Sequence, residues 1–185
     1  RTNACDAGFT DAHNWLSTAR GIPVVYYGSE IGFERGRAEH AGNRNYFGQE
    51  RIDAAPKSPI FAPLKRIAHL RRDTPALQRG LQLNVRMKGD QAIFYRVLQH
   101  EGVNQTALVL LNKADAPAKL SVSDHLQAGQ WRDAFTGKQQ RVRNRLQAEV
   151  PAHGVRVFLL DAPITRADTR ARLAELMARK APKAD

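Results

Sequence analysis

The sequence predicts an α/β segment followed by an all-β antiparallel domain, and three observations carry that division. The run IPVVYYG, Ile22 to Gly28, is apolar without alternation and is bounded by glycines, the pattern of a strand buried on both faces. A helical pattern precedes it, and a second helical pattern follows after a long polar stretch. Beyond Gly80 the chain changes to short runs rich in β-branched and aromatic residues, separated by turn residues. Such spacing indicates a sandwich or barrel of roughly 80 residues.

Taken in order, Thr10 to Ala19 places Trp15, Leu16 and Ala19 at helical spacing, with Thr10 or Asp11 as a cap and Arg20-Gly21 as the stop. From Gly28 to Pro59 the composition turns to Gly, Arg, Asn, His, Glu and Gln with no sustained period, which predicts a long loop. Long loops in compact domains are usually functional, and in α/β barrels the segment after a strand forms the ligand face. Ser58-Pro59 opens a helix with Ile60, Leu64, Ile67 and Ala68 on one face and Lys65, Arg66, His69 and Arg72 on the other. Thr74-Pro75 restarts a short helical turn that closes at Arg79-Gly80.

The expected strands are LQLNVRM, AIFYRVL, TALVLLN, KLSV, WRDAF, LQAEV and VRVFLLD, seven or eight in all. A last segment, Thr165 to Lys180, carries Leu173, Leu176 and Met177 on one side and reads as an amphipathic helix that packs on the sheet. The division expected is residues 1–80, 81–161 and 162–185.

Composition narrows the function classes. The 185 residues are 42% hydrophobic, enough for a packed core, and carry a formal net charge of +11. That charge invites a polyanion as partner. Its carriers are scattered, however, as Lys65 with Arg66, Arg71 with Arg72, then Arg141, Arg143 and Arg145, without a recognition helix or interleaved aromatics. A solvated basic surface is expected, with no nucleic-acid partner. No apolar run reaches the ~20 residues of a spanning helix, so no membrane partner is expected either. The single cysteine, Cys5, excludes an intrachain disulfide, and pairing it with His13 as a nucleophile is given no weight. The stretch RTNACDAGF lacks a leader's basic and apolar regions, and the amino terminus reads as a cut.

The ten residues GIPVVYYGSE, Gly21 to Glu30, resemble the last barrel strand of the α-amylase superfamily, glycoside hydrolase family 13, whose members carry Gly-x-Pro-x-x-Tyr-Tyr-Gly-x-Glu there. The wording RGRAEHAGNRNYFGQE is similar to that of cyclodextrin glucanotransferase-like bacterial members. The resemblance implies that residues 1–80 are the carboxyl-terminal end of a (β/α)8 TIM barrel. Ile22 to Tyr27 would be its eighth strand and Ile60 to Leu70 its eighth helix. Leu81 to Asp161 would then be the antiparallel Greek-key domain C, closing on the hairpin VPAHGVRVFLL. A lone strand cannot close a barrel, so about seven strands are expected outside this chain.

Enzymes of that superfamily cleave α-1,4-glucosidic bonds with retention, using one carboxylate as nucleophile, one carboxylic acid as proton donor and a third Asp. The resemblance places all three upstream of Arg1, so no catalytic residue is expected here; Asn3 to Asp6, Glu30 and Glu34 are assigned no catalysis. It implies substrate contacts by Asn43, Arg44 and Tyr46, where amide, guanidinium and aromatic groups suit sugar hydroxyls and faces. Tyr27 and Glu30 would support the cleft. No aspartate stands near Gly42, where the family pattern has one. The resemblance implies no cofactor or metal in this chain, leaves calcium to the remainder of such an enzyme, and favours a periplasmic or secreted location. The partners implied are an α-glucan and the rest of the barrel. A rival reading is a noncatalytic carbohydrate-binding β module using Phe94, Tyr95 or Trp131.

Overall fold

A computed structural model describes residues 3–33 and 48–178. Its central layer is a six-stranded antiparallel sheet in the order β1-β2-β3-β8-β5-β6, and a second sheet pairs β4 with β7. The strands are β1 (Leu81–Lys88), β2 (Gln91–His100), β3 (Val103–Asn112), β4 (Ala118–Val122), β5 (Gly129–Asp133), β6 (Gln139–Val142), β7 (Leu146–Val150) and β8 (Gly154–Leu160). The helices are α1 (Asn3–Thr18), α2 (Gln49–Ala54), α3 (Phe61–Arg72), α4 (Pro75–Arg79) and α5 (Ala167–Ala178). After the β5–β6 hairpin, β7 steps into the second sheet and β8 returns beside β5. That return is the Greek-key crossing.

The centre of the large sheet is apolar on both faces because it is covered on both. Side chains alternate across a strand, and the register Phe94↔Val109, Tyr95↔Leu108 sorts them into two cores. Ile93, Tyr95, Val97, Leu108, Leu110, Phe158 and Leu160 point to one side, where Leu120, Val122, Leu146, Val150, Trp131 and Leu173 of α5 cover them. Phe94, Leu98, Ala107, Val109, Leu111, Val157 and Leu159 point to the other, against Leu64, Ile67, Leu70, Ala76 and Leu77 of α3 and α4. The boundary expected at Gly80 is therefore a junction in sequence, yet the helices before it share a core with the strands after it. Both sheet edges are blunted as open edges require: β1 by a register shift between Asn84 and Arg86, β6 by exposed Gln139 and Arg141.

Several expectations are corrected. The run Ile22 to Tyr27 is extended but forms no strand among the described residues. Ile22 is 89% exposed and Val24 71%. The physical reason is that a strand exists through its ladder partners, and no described strand lies beside this one. The loop from Gly28 to Pro59 contains α2, which starts after Gly48, and two 3-10 turns at Ser29–Ile31 and Ala55–Lys57. Helix α1 starts seven residues before Thr10, at Asn3, so Asn3 to Asp6 lies within it. In α3 the buried residues are Leu64, Ile67, Leu70 and Arg71, whereas Ala68 is exposed. Met177 of α5 is 73% exposed while Leu173 is buried.

Two buried arginines join the helical segment to the sheet. Arg96 alternates with Tyr95 and Val97 and so points to the helical side, where it is 1% exposed. Its Nη1 donates to the Thr18 carbonyl at 2.8 Å, and its Nε and Nη2 donate to the Gly80 carbonyl at 3.2 and 2.9 Å. Arg71 of α3 donates Nη1 to the Ser17 and Ala19 carbonyls at 2.9 and 3.1 Å and Nη2 to that of Gly21. These are the carbonyls that the end of α1 leaves without intrahelical donors, and a cation there also complements the helix dipole. Burial, then the neighbouring Arg71 charge, pushes Arg96 down to about 10, and burial lowers Arg71 as well. Arg96 therefore keeps its charge at neutral pH.

Replacing Arg96 by Met should strand the Thr18 and Gly80 carbonyls and cost about 3 kcal/mol of unfolding free energy. Urea denaturation measures it, with Arg143→Ala on the exposed β6–β7 turn as a control that leaves the midpoint in place.

Candidate cleft wall from Gly21 to Phe33

Once Arg71 has fixed the Gly21 carbonyl, the chain leaves α1 as an extended, apolar segment that ends in a tight turn. Gly28 (φ 74°) and Gly32 (φ 56°) are both left-handed, a conformation that glycine adopts without steric cost, and they bracket the turn Ser29–Ile31. Main-chain bonds close it: Ser29 N donates to the Tyr26 carbonyl at 2.8 Å, and Phe33 N to that of Gly28 at 2.8 Å. Glu30 is thereby held in the middle of the turn, half-buried.

The aromatic side chains of the segment form a chain of edge-on contacts. The Tyr27 ring is 6.5 Å from that of Tyr26 and 6.3 Å from that of Phe33, the latter pair at 89°, an arrangement that suits the ring quadrupoles. Arg51 of α2 sets its guanidinium carbon 5.5 Å from the Phe33 ring centroid, within cation–π reach. Ile31, Gly32, Phe33, Arg51, Ala54 and Ser58 are among the residues that line a cavity of about 540 Å³. Thus Tyr27 and Glu30, the two expected support residues, lie three residues apart at one end of the exposed segment.

Asn43, Arg44 and Tyr46, the expected sugar contacts, lie outside the described residues. The aromatic residues of the rival reading do not form a binding face: Phe94 is 0% exposed, Tyr95 2% and Trp131 0%. Trp131 Nε1 donates to the Gln127 carbonyl at 2.9 Å and Tyr95 Oη to that of Asp124 at 2.9 Å, so their polar ends serve the core of the β domain. Among the described residues no three His, Cys, Asp or Glu side chains gather in a way that would hold a metal ion. No described helix is long and apolar enough to cross a membrane.

The contributions that sequence reasoning missed are those of Arg71 and Arg96. Each sits in an otherwise apolar pattern, at a helix position beside Leu70 and on a strand between Tyr95 and Val97. A charged residue interrupting a buried run was the available signal.

Comparison with known proteins places this geometry. Residues 88–160 match the family model described as the alpha galactosidase C-terminal beta sandwich domain. Cyclomaltodextrin glucanotransferase of Klebsiella oxytoca is 28% identical over 102 residues, 54% of this chain and 15% of that protein. Among solved structures, α-amylase from Geobacillus thermoleovorans in complex with acarbose superposes with a TM-score of 0.69 at 24% identity. The match covers 86% of this chain and 34% of that one. CldA, described as the first cyclomaltodextrin glucanotransferase with a three-domain ABC distribution, superposes with a TM-score of 0.59 at 25% identity, over 84% of this chain and 32% of that one. The chain therefore spans about a third of the length of these solved structures and less of the curated relative. The mostly antiparallel β architecture of this chain is thus similar to that of these α-amylase and glucanotransferase structures and, over residues 88–160, to a C-terminal beta sandwich domain.

Proposed function

We propose that this chain is the carboxyl-terminal part of an α-glucan-active retaining glycosidase or transglycosylase, a cyclodextrin glucanotransferase or α-amylase acting on α-1,4 bonds of starch or maltodextrin. The observation that carries the reading is the exposed run Ile22 to Tyr27. It is apolar throughout, with Ile22 89%, Val24 71% and Tyr26 51% exposed at alternate positions and Val25 46% and Tyr27 43% at the intervening ones, whereas such a pattern is written for a strand with neighbours on both sides. The rest of a (β/α)8 barrel supplies those neighbours, and the relatives, roughly three times as long as the aligned part, have the length to contain it. Support for the substrate class comes from relatives that are amylases and glucanotransferases, one of them crystallised with acarbose.

In this reading the segment from Gly21 to Phe33 is one wall of the cleft. The nucleophile and the acid that retaining cleavage requires belong to other strands of the barrel, outside this chain. Glu30, fixed by the two-glycine turn, supports them by charge and hydrogen bonding from the carboxyl end of the strand, the end at which barrels hold their ligands. Tyr27 holds that turn through its ring contacts. Asn43, Arg44 and Tyr46 follow in the sequence and would meet sugar hydroxyls and an apolar sugar face. The hydrolase or transferase outcome is set by acceptor sites that favour water or a sugar hydroxyl, built mainly by the other strands. The location would be periplasmic or secreted, and calcium would belong to the other part of the enzyme.

Two results test this. The 185-residue chain alone should release no reducing sugar and form no cyclodextrin from starch. Mixed with the separately produced preceding part of its polypeptide, it should restore turnover. Activity of the chain alone that is lost on mutating one of its own carboxylates would refute the proposal. In the full-length enzyme, Glu30→Gln should lower kcat by roughly tenfold to a hundredfold through misplacement of the reacting groups, with a smaller change in KM. An unchanged kcat would remove Glu30 from the cleft.

A further inference from the structure

Helix α1 is held at a second place, midway along its length, by a single imidazole. His153 stands in the turn between β7 and β8 with a left-handed φ of 49°. Its Nδ1 lies 2.8 Å from Oδ2 of Asp11 on α1, and its Nε2 lies 2.9 Å from Oδ1 of Asp115 in the loop after β3. The main chain of the same residue is engaged too: His153 N donates to the Ala114 carbonyl at 3.2 Å, and its carbonyl accepts from Asn14 Nδ2 of α1 at 3.3 Å. One residue thus ties the helix, the β3–β4 loop and the β7–β8 turn together.

The chemistry of this bridge depends on one proton. An ionised carboxylate only accepts, so contacts at both ring nitrogens require both to donate, and only the cationic ring has two N–H groups. A neutral ring keeps one donor and turns a lone pair toward the other carboxylate oxygen. The hydrogen bonds to Asp11 and then Asp115 hold the ring above the ordinary histidine value, against a small opposing effect of burial. The ring is 25% exposed and Asp115 is fully exposed, so protons exchange freely with solvent.

The other charges around the ring do not replace it. On α1, His13 has its Nδ1 at 2.7 Å from the Phe9 carbonyl. At the end of β3, Lys113 is paired with Asp90 at 3.3 Å. From α3, Arg66 faces His153 across a cavity of about 370 Å³ that both line, with its guanidinium over the Phe135 ring at 4.0 Å. On β8, Arg156 is paired with Asp133 at 3.3 Å. Asp11 and Asp115 are the carboxylates in contact with the imidazole.

We propose that His153 is a pH-dependent latch that ties the middle of α1 to the β3–β4 loop through both carboxylates while its ring is doubly protonated and gives up one of those two contacts when a proton is lost. The sign follows from the raised value. The contribution is complete below the ordinary histidine pKa of about 6.5 and disappears as pH rises through the higher folded-state value. The carboxyl end of α1 stays clamped by Arg71 and Arg96 and Asn14 keeps its bond to the His153 carbonyl, so loss of one ring contact loosens the link between α1 and the β3–β4 loop without detaching the helix. This device does not rest on the glucan reading.

Trp15 reports on it, because it lies on α1 next to Asn14 and meets Phe94 edge-on at 5.5 Å while 43% exposed. The test is a nuclear magnetic resonance titration of the whole chain from about pH 5 to about pH 9, following the His153 ring, the Trp15 indole and the α1 amides. The His153 midpoint is expected above the ordinary value, with the Trp15 and α1 signals moving at the same midpoint. Asp115→Asn, at a fully exposed position, should shift all of them to lower pH, and His153→Gln should abolish the transition. A His153 midpoint at or below the ordinary value, Trp15 signals that stay flat through it, or a midpoint unmoved by Asp115→Asn would overturn the latch.

Discussion

The carbonyl groups at the carboxyl end of α1 are the point on which the arrangement of this chain depends. Those of Ser17, Thr18, Ala19 and Gly21 would be costly to bury without donors, and Arg71 and Arg96 supply them from two different elements. Arg96 also reaches the carbonyl of Gly80 at the start of the β domain, so one guanidinium bridges the helical segment, the α4–β1 junction and strand β2. Gly80 itself sits where a Cβ would come within 2.5 Å of the Ala76 carbonyl oxygen and 2.9 Å of Val97 N. A larger residue would push β1 away from the arginine. The close approach and the clamp therefore require one another.

That clamp fixes the direction in which the chain leaves α1, and with it the exposed segment beyond. A fixed base under one end of Ile22 to Tyr27 and the two-glycine turn at the other constrain the backbone around Tyr27 and Glu30. The β domain contributes by being a firm platform: its central sheet is apolar on both faces and covered by helices on one side and by β4, β7 and α5 on the other. A large exposed apolar run on such a platform is unusual in a free-standing domain.

Much of this was legible in the sequence, for reasons that differ by element. Strands β2, β3 and β8 announce themselves as runs rich in β-branched and apolar residues that open at or just after Gly89, Gly102 and Gly154, and α3 through its apolar spacing. Strand β6 has one buried apolar side chain, Val142, and α2 has Ile52 as its lone large apolar residue, so neither carries a period to detect. The run Ile22 to Tyr27 was readable as strand-like, but strand formation is a property of the pair, and no described strand lies beside it. The joining residues were not readable at all: Arg96 meets Thr18 across 78 positions and His153 meets Asp11 across 142. Local patterns carry no record of such contacts. The sugar-contact candidates Asn43, Arg44 and Tyr46 rest on motif resemblance, whereas Tyr27 and Glu30 have a described backbone setting.

Hydrogen exchange across the whole chain tests the joining of α1 to the β domain most directly. If the clamp makes them one cooperative unit, the amides of the last two turns of α1 will exchange as slowly as those of β2 and β3, through global opening, while Val24 to Tyr27 exchange fast. Helix α1 exchanging at the rate of Val24 to Tyr27, with the sheet still protected, would show that the arginines do not unite the two parts and would contradict the claim that they position the cleft wall.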